Sequence, residues 1–127
     1  MCLISKWNFP KKAKEDIICY KILRKEEYGY YTPYLDTPVK LNSTLKATGC
    51  RFRSFKNRYE VGEGYIHAYT KRYLANPVRF EEFMDDSYDY VSIKCIIPKG
   101  TKYHVSKNGF EICSRKMHLE DISIPSL

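Results

Sequence analysis

The sequence predicts an α+β domain: a mainly antiparallel sheet with a C-terminal meander, covered by one or two short helices. Residues 89–97 alternate apolar and polar side chains with a period of two, which is typical of a half-buried strand. Asn108-Gly109 is a strong hairpin signal, because both residues tolerate positive φ. The turn separates two further predicted strands, at 101–106 and 110–119, and these three strands make up the expected meander.

The other elements rest on weaker patterns. Residues 17–23 are rich in β-branched and aromatic side chains and predict a first, buried strand. Thr70 is a candidate N-cap for a helix that begins at Lys71. Pro77 disfavours helical geometry at the residue before it, so we expect the helix to stop there and resume over 78–84.

The length of 127 residues fits a single domain, in which residues 1–16 form an irregular N-terminal arm. Hydrophobic residues make up 43%, enough for a packed core. No run approaches the roughly 18 to 20 apolar residues of a membrane span, and no stretch resembles a signal peptide. We therefore expect a soluble, cytoplasmic protein without a membrane partner.

The five cysteines are widely spaced and form no CxxC pair, which predicts reduced, buried thiols rather than a zinc site. The three histidines share no metal-ligand spacing, and the sequence has no glycine-rich phosphate loop or hydrolase motif. No metal or cofactor is expected from these patterns. Sequence alone leaves open whether a cysteine and a histidine meet in space.

The net charge of +7 favours anionic partners such as nucleotides, nucleic acid or an acidic protein surface. Residues 40–58 contain six bases and no acid, with Phe52 and Phe55 among them. Cations that meet phosphate and rings that stack on bases suit single strands or free nucleotides. The alternative is a surface loop that its phenylalanines hold against the core. Within this basic loop, the candidate contact residues are Arg51, Arg53 and Arg58.

Tyrosine is unusually abundant, with twelve copies. Each offers a stiff aromatic face and one hydroxyl group at low entropic cost on binding. Tyr65, His67 and Tyr69 follow the Gly62–Gly64 turn and are candidate ligand contacts. The competing interpretation is that the tyrosines only fill the faces of strands.

Three segments resemble a family of small uncharacterised phage and prophage proteins: Tyr59–Tyr69, Ile93–Tyr103 and Glu111–Lys116. The resemblance extends over about residues 16–119. It implies a protein of a phage or mobile element that acts in the host cytoplasm, and it implies no particular activity.

The order of a basic residue, a tyrosine or threonine strand and a late glutamate is also similar to ADP-ribosyltransferases. That resemblance implies that Lys21, Tyr69 or Thr70, and Glu111 occupy the three site positions, with NAD as cofactor and Glu111 as catalytic residue. Lys21 stands where the family has arginine or histidine, and the family's Ser-Thr-Ser core is missing, so the resemblance fits a degenerate NAD-like pocket better than transferase activity. In that pocket Lys21 is a further candidate ligand contact.

Three functions remain open at this point. The first is a binding module that grips an anionic partner (a nucleotide signal, an RNA or a nucleoprotein complex of host defence) and so counteracts that defence. The second is an ADP-ribosyltransferase-like enzyme that uses NAD. The third is a structural or assembly protein of the phage, which would self-associate or meet an acidic protein through its basic face.

Overall fold

The computed structural model describes residues 3–7, 9–33, 37–47, 52–55, 58–61, 64–83 and 88–120. Of these, residues 52–55, 58–60, 82 and 83 are described by their backbone alone. Within these ranges the chain forms the following strands: β1 (Leu3–Ile4), β2 (Lys11–Lys12), β3 (Ile17–Glu26), β4 (Gly29–Tyr31), β5 (Pro38–Val39), β6 (Thr44–Lys46), β7 (Phe52–Phe55), β8 (Arg58–Val61), β9 (Ile66–Tyr69), β10 (Asp89–Ile97), β11 (Lys102–Val105), β12 (Glu111–Ser114) and β13 (Lys116–Leu119).

The fold is nearly all β, so the predicted α+β class is wrong. The described helical structure consists of one 3₁₀ turn, Arg72–Leu74, and one helix, α1 (Pro77–Phe83). Pro77 divides the segment as expected, but the piece before it is too short to form an α-helix. Asn76 caps α1, since its Oδ1 accepts a hydrogen bond from the amide of Val78 at 3.0 Å. A seven-residue helix cannot form a layer of its own against a sheet of this size.

The larger sheet has the strand order β2-β11-β12-β9-β3-β10-β13-β6, and its pairs are antiparallel. β4 pairs with the C-terminal end of β3, and β5 pairs with β4. A smaller sheet has the order β1-β8-β7. The residues predicted as an irregular arm thus contribute β1 to one sheet and β2 to the other. Strands of two residues are too short to show a period in the sequence.

The prediction of a C-terminal meander is also wrong, because β10 does not pair with β11. β10 instead pairs with β3 over nine consecutive positions, from Asp89↔Lys25 to Ile97↔Ile17. The predicted last strand is interrupted at Arg115: β12 pairs with β11 and β9, whereas β13 pairs with β10 and β6. β3, with ten residues, offers the nine-residue β10 a partner along its whole length, which the four-residue β11 does not.

The predicted hairpin at Asn108-Gly109 is confirmed. β11 and β12 pair with the register Tyr103↔Ser114 and Val105↔Ile112. Gly109 has a φ of 78°, in the left-handed region that favours glycine.

The main core lies on one face of the large sheet, where its buried apolar side chains alternate with outward-facing ones. Each fully buried aliphatic side chain there contributes about 1.5–3 kcal/mol to folding. A second cluster packs between the two sheets, and a third packs under α1. The buried members of the main core are Cys19, Leu23, Ala68, Ile93, Cys95, Ile97, Ile112, Met117 and Leu119.

Three of the five cysteines, Cys19, Cys95 and Cys113, are buried free thiols, which confirms that prediction for them. Cys2 and Cys50 lie outside the described residues. Among the residues that the structure describes, no helix is long and apolar enough to cross a membrane.

A candidate anion-binding cavity

A cavity of about 260 Å³ opens where β3 and β9 separate. The two strands pair only at Tyr20↔Tyr69 and then diverge. One edge of β9 forms a wall, and the segments around β4, β5 and β6 close the opposite side. The lining residues are Lys21, Ile22, Thr32, Pro33, Thr37, Pro38, Val39, Leu45, Lys46, Gly64, Tyr65, Ile66, His67, Ala68, Tyr69 and Phe80.

Lys21 supplies the positive charge deepest in this cavity. Strand alternation places it on the core face of β3, between Cys19 and Leu23, which are both fully buried. Its Nζ donates a hydrogen bond of 2.7 Å to the backbone oxygen of His67. Lys21 thereby satisfies a carbonyl group on β9 beyond the point where the strands stop pairing. Burial lowers the pKa of Lys21, because the charged ammonium loses hydration.

Aromatic rings form a second feature of the cavity wall. Tyr65 is only 7% exposed, and its ring meets His104 edge-on at 5.7 Å between centroids. Phe80 of α1 packs against Tyr90 in the same way at 5.1 Å. These contacts hold the Tyr65 and Phe80 rings in place at the cavity lining.

The charges of the lining have one sign. Lys21 and Lys46 are present, and no aspartate or glutamate is among the described residues that line the cavity. Thr32 and Thr37 add hydroxyl groups, and their loop is closed by a 3.0 Å hydrogen bond from the amide of Thr37 to Thr32 Oγ1. Apolar walls, a few fixed polar groups and an unbalanced positive charge are the properties of a site for a small anion.

Four of the predicted ligand residues, Lys21, Tyr65, His67 and Tyr69, line this one cavity. Their role in binding stays a prediction. The basic-loop prediction concerns residues that the structure does not describe in the same detail: Arg51 lies outside the described residues, while Arg53 and Arg58 are placed on β7 and β8 by their backbone only.

Glu111 lies apart from the cavity. It sits opposite Tyr69 on the neighbouring strand, and Tyr69 sits opposite Tyr20. Directly opposed residues share a face, so Glu111 projects from the face opposite to that of Lys21, the chain neighbour of Tyr20. Burial raises the pKa of Glu111. Of the positions implied by the transferase resemblance, Lys21 and Tyr69 line the cavity, whereas Glu111 is the cross-strand neighbour of Tyr69 and is not among the described lining residues.

Two histidines and a cysteine do meet in space, which the sequence could not show. Cys113 on β12 lies directly opposite His104 of β11 and His67 of β9. The Cys113 side chain is fully buried in the cluster with Leu3 and Tyr65, so a substrate cannot reach it. Among the described residues, no group of three or more histidines, cysteines and acids is arranged to hold a metal ion.

His104 is fixed by the N-terminal segment. Ser5 donates its hydroxyl hydrogen to the Trp7 carbonyl at 2.7 Å, so it accepts from His104 Nδ1 at 2.8 Å. Burial, with a smaller contribution from Arg115, lowers the pKa of His104 to about 4. The histidine is thus neutral near pH 7 and serves to connect β1 to the large sheet.

Sequence reasoning missed the other twelve residues of the cavity lining. Thr32, Thr37, Val39 and Phe80 reach it from segments whose pairing no local pattern indicates. Pro33 and Pro38 were the only sequence features that indicated a turn in this region.

Comparisons with known proteins add no relative: no family model, no curated protein and no solved structure matches this chain.

Proposed function

We propose that this protein is a binding module for a small anionic ligand of the nucleotide class, held in the cavity between β3 and β9. The single observation that carries the proposal is the position of Lys21. The ammonium group of Lys21, half-buried and bonded to the His67 carbonyl, lines a cavity without a carboxylate in its described lining. A bound phosphate supports the charged form of this lysine, which burial alone disfavours.

The size of the cavity limits the range of ligands that it can hold. Sites for small molecules usually enclose roughly 300–1,000 Å³, and this cavity is slightly smaller at about 260 Å³. It therefore suits one compact ligand, with a phosphate near Lys21 and a base against the apolar part of the lining. A nucleic-acid strand or a complete NAD molecule exceeds this volume.

Equilibrium titration with single nucleotides tests the proposal. Lys21→Met keeps the length of the side chain and removes its charge, and we expect it to weaken nucleotide binding about tenfold or more, the effect of losing a buried charge-assisted contact. Val39→Trp on the edge strand β5 fills part of the cavity and leaves Lys21 unsubstituted, and it should weaken binding by exclusion.

Tyr73→Phe is the matched control, since Tyr73 is 69% exposed and lies outside the cavity. It should bind as the wild type does, and thermal unfolding of each variant should establish that it is folded. If both cavity variants bind nucleotides with wild-type affinity, the ligand does not occupy this cavity.

The resemblance to phage and prophage proteins gives the proposal a biological setting. A module that sequesters a nucleotide signal in the host cytoplasm would blunt a defence that depends on that signal. The wild-type protein should then restore plaque formation in a defended host, whereas the Lys21→Met variant should not.

A further inference from the structure

A second, larger concavity lies outside the proposed nucleotide cavity, where the β2–β11 pair and the β13–β6 pair of the large sheet both contribute residues. This basic groove encloses about 580 Å³ and carries six cationic side chains, four of them on short strands. Its lining consists of Lys12, Lys46, Ala47, Pro98, Lys99, Gly100, Thr101, Lys102, Arg115 and Lys116. No aspartate or glutamate is among these described residues.

The sheet register places like charges directly opposite each other at two points of the groove. Lys102 of β11 is the cross-strand partner of Lys12 on β2. Lys116 of β13 is the partner of Lys46 on β6. Directly opposed residues of antiparallel strands have Cβ atoms about 4.5–5.5 Å apart, and like charges there are destabilising.

The two lysine pairs are joined by the backbone. The amide of Arg115 donates a hydrogen bond of 3.1 Å to the carbonyl of Lys102, which brings the β12–β13 junction beside β11. Lys99 approaches from the β10–β11 turn, held by a 2.8 Å hydrogen bond from its amide to Asp16 Oδ1. Four segments that are distant in the sequence thus direct cations into one concavity, which focuses the positive potential there.

The chemistry of the lining indicates what the groove binds. No aromatic side chain is among the described lining residues, so these residues offer no stacking surface of the kind on which proteins hold the bases of single strands. Charge is its only strong recognition element. A compact anion with several adjacent negative groups neutralises both lysine pairs at once, which a single phosphate cannot do.

We infer that the basic groove binds a compact anion with at least two adjoining phosphate groups. This site goes beyond the proposed nucleotide cavity. Only Lys46 lines both, so the two sites can be tested separately through Lys12 and Lys102. The repulsion within each lysine pair in the empty groove is relieved when the anion is bound.

The probe for the test is inorganic tripolyphosphate, titrated at several salt concentrations. The double variant Lys12→Gln/Lys102→Gln should bind it about tenfold or more weakly. The slope of log affinity against log salt should also fall by about one for each lysine removed. Without ligand, the same variant should unfold at a higher temperature than the wild type, since a repulsive pair has been removed.

Lys94→Gln/Lys107→Gln is the matched control, because both lysines are exposed and lie outside the groove. It should leave binding of tripolyphosphate nearly unchanged. Lys21→Met and Val39→Trp should also retain binding of tripolyphosphate. The proposal for the nucleotide cavity and the inference for the basic groove can therefore fail independently of each other.

The remaining arms of the experiment identify the source of the phosphates. Equal affinity for a nucleoside triphosphate and tripolyphosphate would indicate that the groove contacts only the phosphates. Higher affinity for the nucleoside triphosphate would indicate further contacts outside the groove. Both results support the inference. Equal weakening by the groove and control variants would overturn it. So would an oligonucleotide that binds more tightly than tripolyphosphate at the same phosphate concentration.

Discussion

Lys21 and His104 show how single polar residues are used inside this mostly apolar sheet. Lys21 interrupts the core face of β3 and bonds to the backbone of β9. His104 is fully buried and bonds to Ser5, far away in the sequence. Buried polar groups are retained where their hydrogen bonds are made. The two differ in what faces them: Lys21 faces a cavity, whereas His104 faces packed side chains.

The buried state of His104 gives stability a defined pH dependence. Its pKa is about 4 in the folded protein and near 6.5 when the side chain is free. Between these values the unfolded chain takes up a proton that the folded chain does not, so stability is lost as pH falls from about 6.5 towards 4. We expect this loss to reach up to about 3 kcal/mol, measured by urea unfolding at pH 7 and pH 4.5.

Comparison with a His104→Gln variant isolates that effect. Glu111 acts with the opposite sign, because its raised pKa lets the folded state take up a proton first as the pH falls. Glu111 is present in both proteins, so its contribution cancels between them. The variant should lose less stability than the wild type between the two pH values, and equal losses would rule out the role given to His104.

The sequence analysis selected four of the sixteen residues that line the candidate cavity. Tyr65, His67 and Tyr69 were chosen because aromatic and polar side chains cluster after a glycine turn, and Lys21 because a resemblance pointed to it. All four line the cavity. Their burial and the bond from Lys21 to His67 depend on where β3 and β9 separate, which no local pattern encodes.

Among the elements, the β11–β12 hairpin is the one most strongly specified by local sequence. Asn108 Oδ1 accepts a hydrogen bond of 2.9 Å from the amide of Phe110, and Gly109 takes the positive φ that the turn needs. Period-two strands and turn residues were therefore readable from the sequence. The two-residue strands were not, and Pro77 shortened the helical segment more than its composition suggested.

Substitution of Gly109 by alanine tests the demand of this turn. A Cβ at Gly109 meets no atom within 4 Å, so the expected penalty comes from φ alone. It should lower the free energy of unfolding by roughly 1 kcal/mol.

Gly29→Ala is the matched control for that experiment, because Gly29 has equal space and lies on β4 without a positive φ. Its free energy of unfolding should change little, as measured by urea denaturation. Equal effects of the two substitutions would show that the turn does not require its left-handed residue.

At the scale of the whole molecule, the net charge of +7 is not spread evenly. Six cationic side chains meet in one groove, and one of them, Lys46, also lines the cavity between β3 and β9 together with Lys21. The sequence predicted an anionic partner from the excess of bases but assigned it to residues 40–58. The groove could not be predicted, because Lys12 and Lys102 become neighbours only through the pairing of β2 with β11.

The topology explains why the fold class was also misjudged. Three successive C-terminal strands were predicted to pair in order, because consecutive strands are usually neighbours in a sheet. Here β10 is taken by β3, a strand of similar length from the N-terminal third. Pairings between distant strands of matching length dominate this sheet, and they leave little room for helices.

Native mass spectrometry of the protein purified from bacterial cells in low salt tests the central proposal most directly. We predict a bound mass of nucleotide size on the wild-type protein, or its appearance when single nucleotides are added, and its loss in Lys21→Met. A ligand-free mass that no nucleotide changes would contradict the proposal and would point to a protein partner instead.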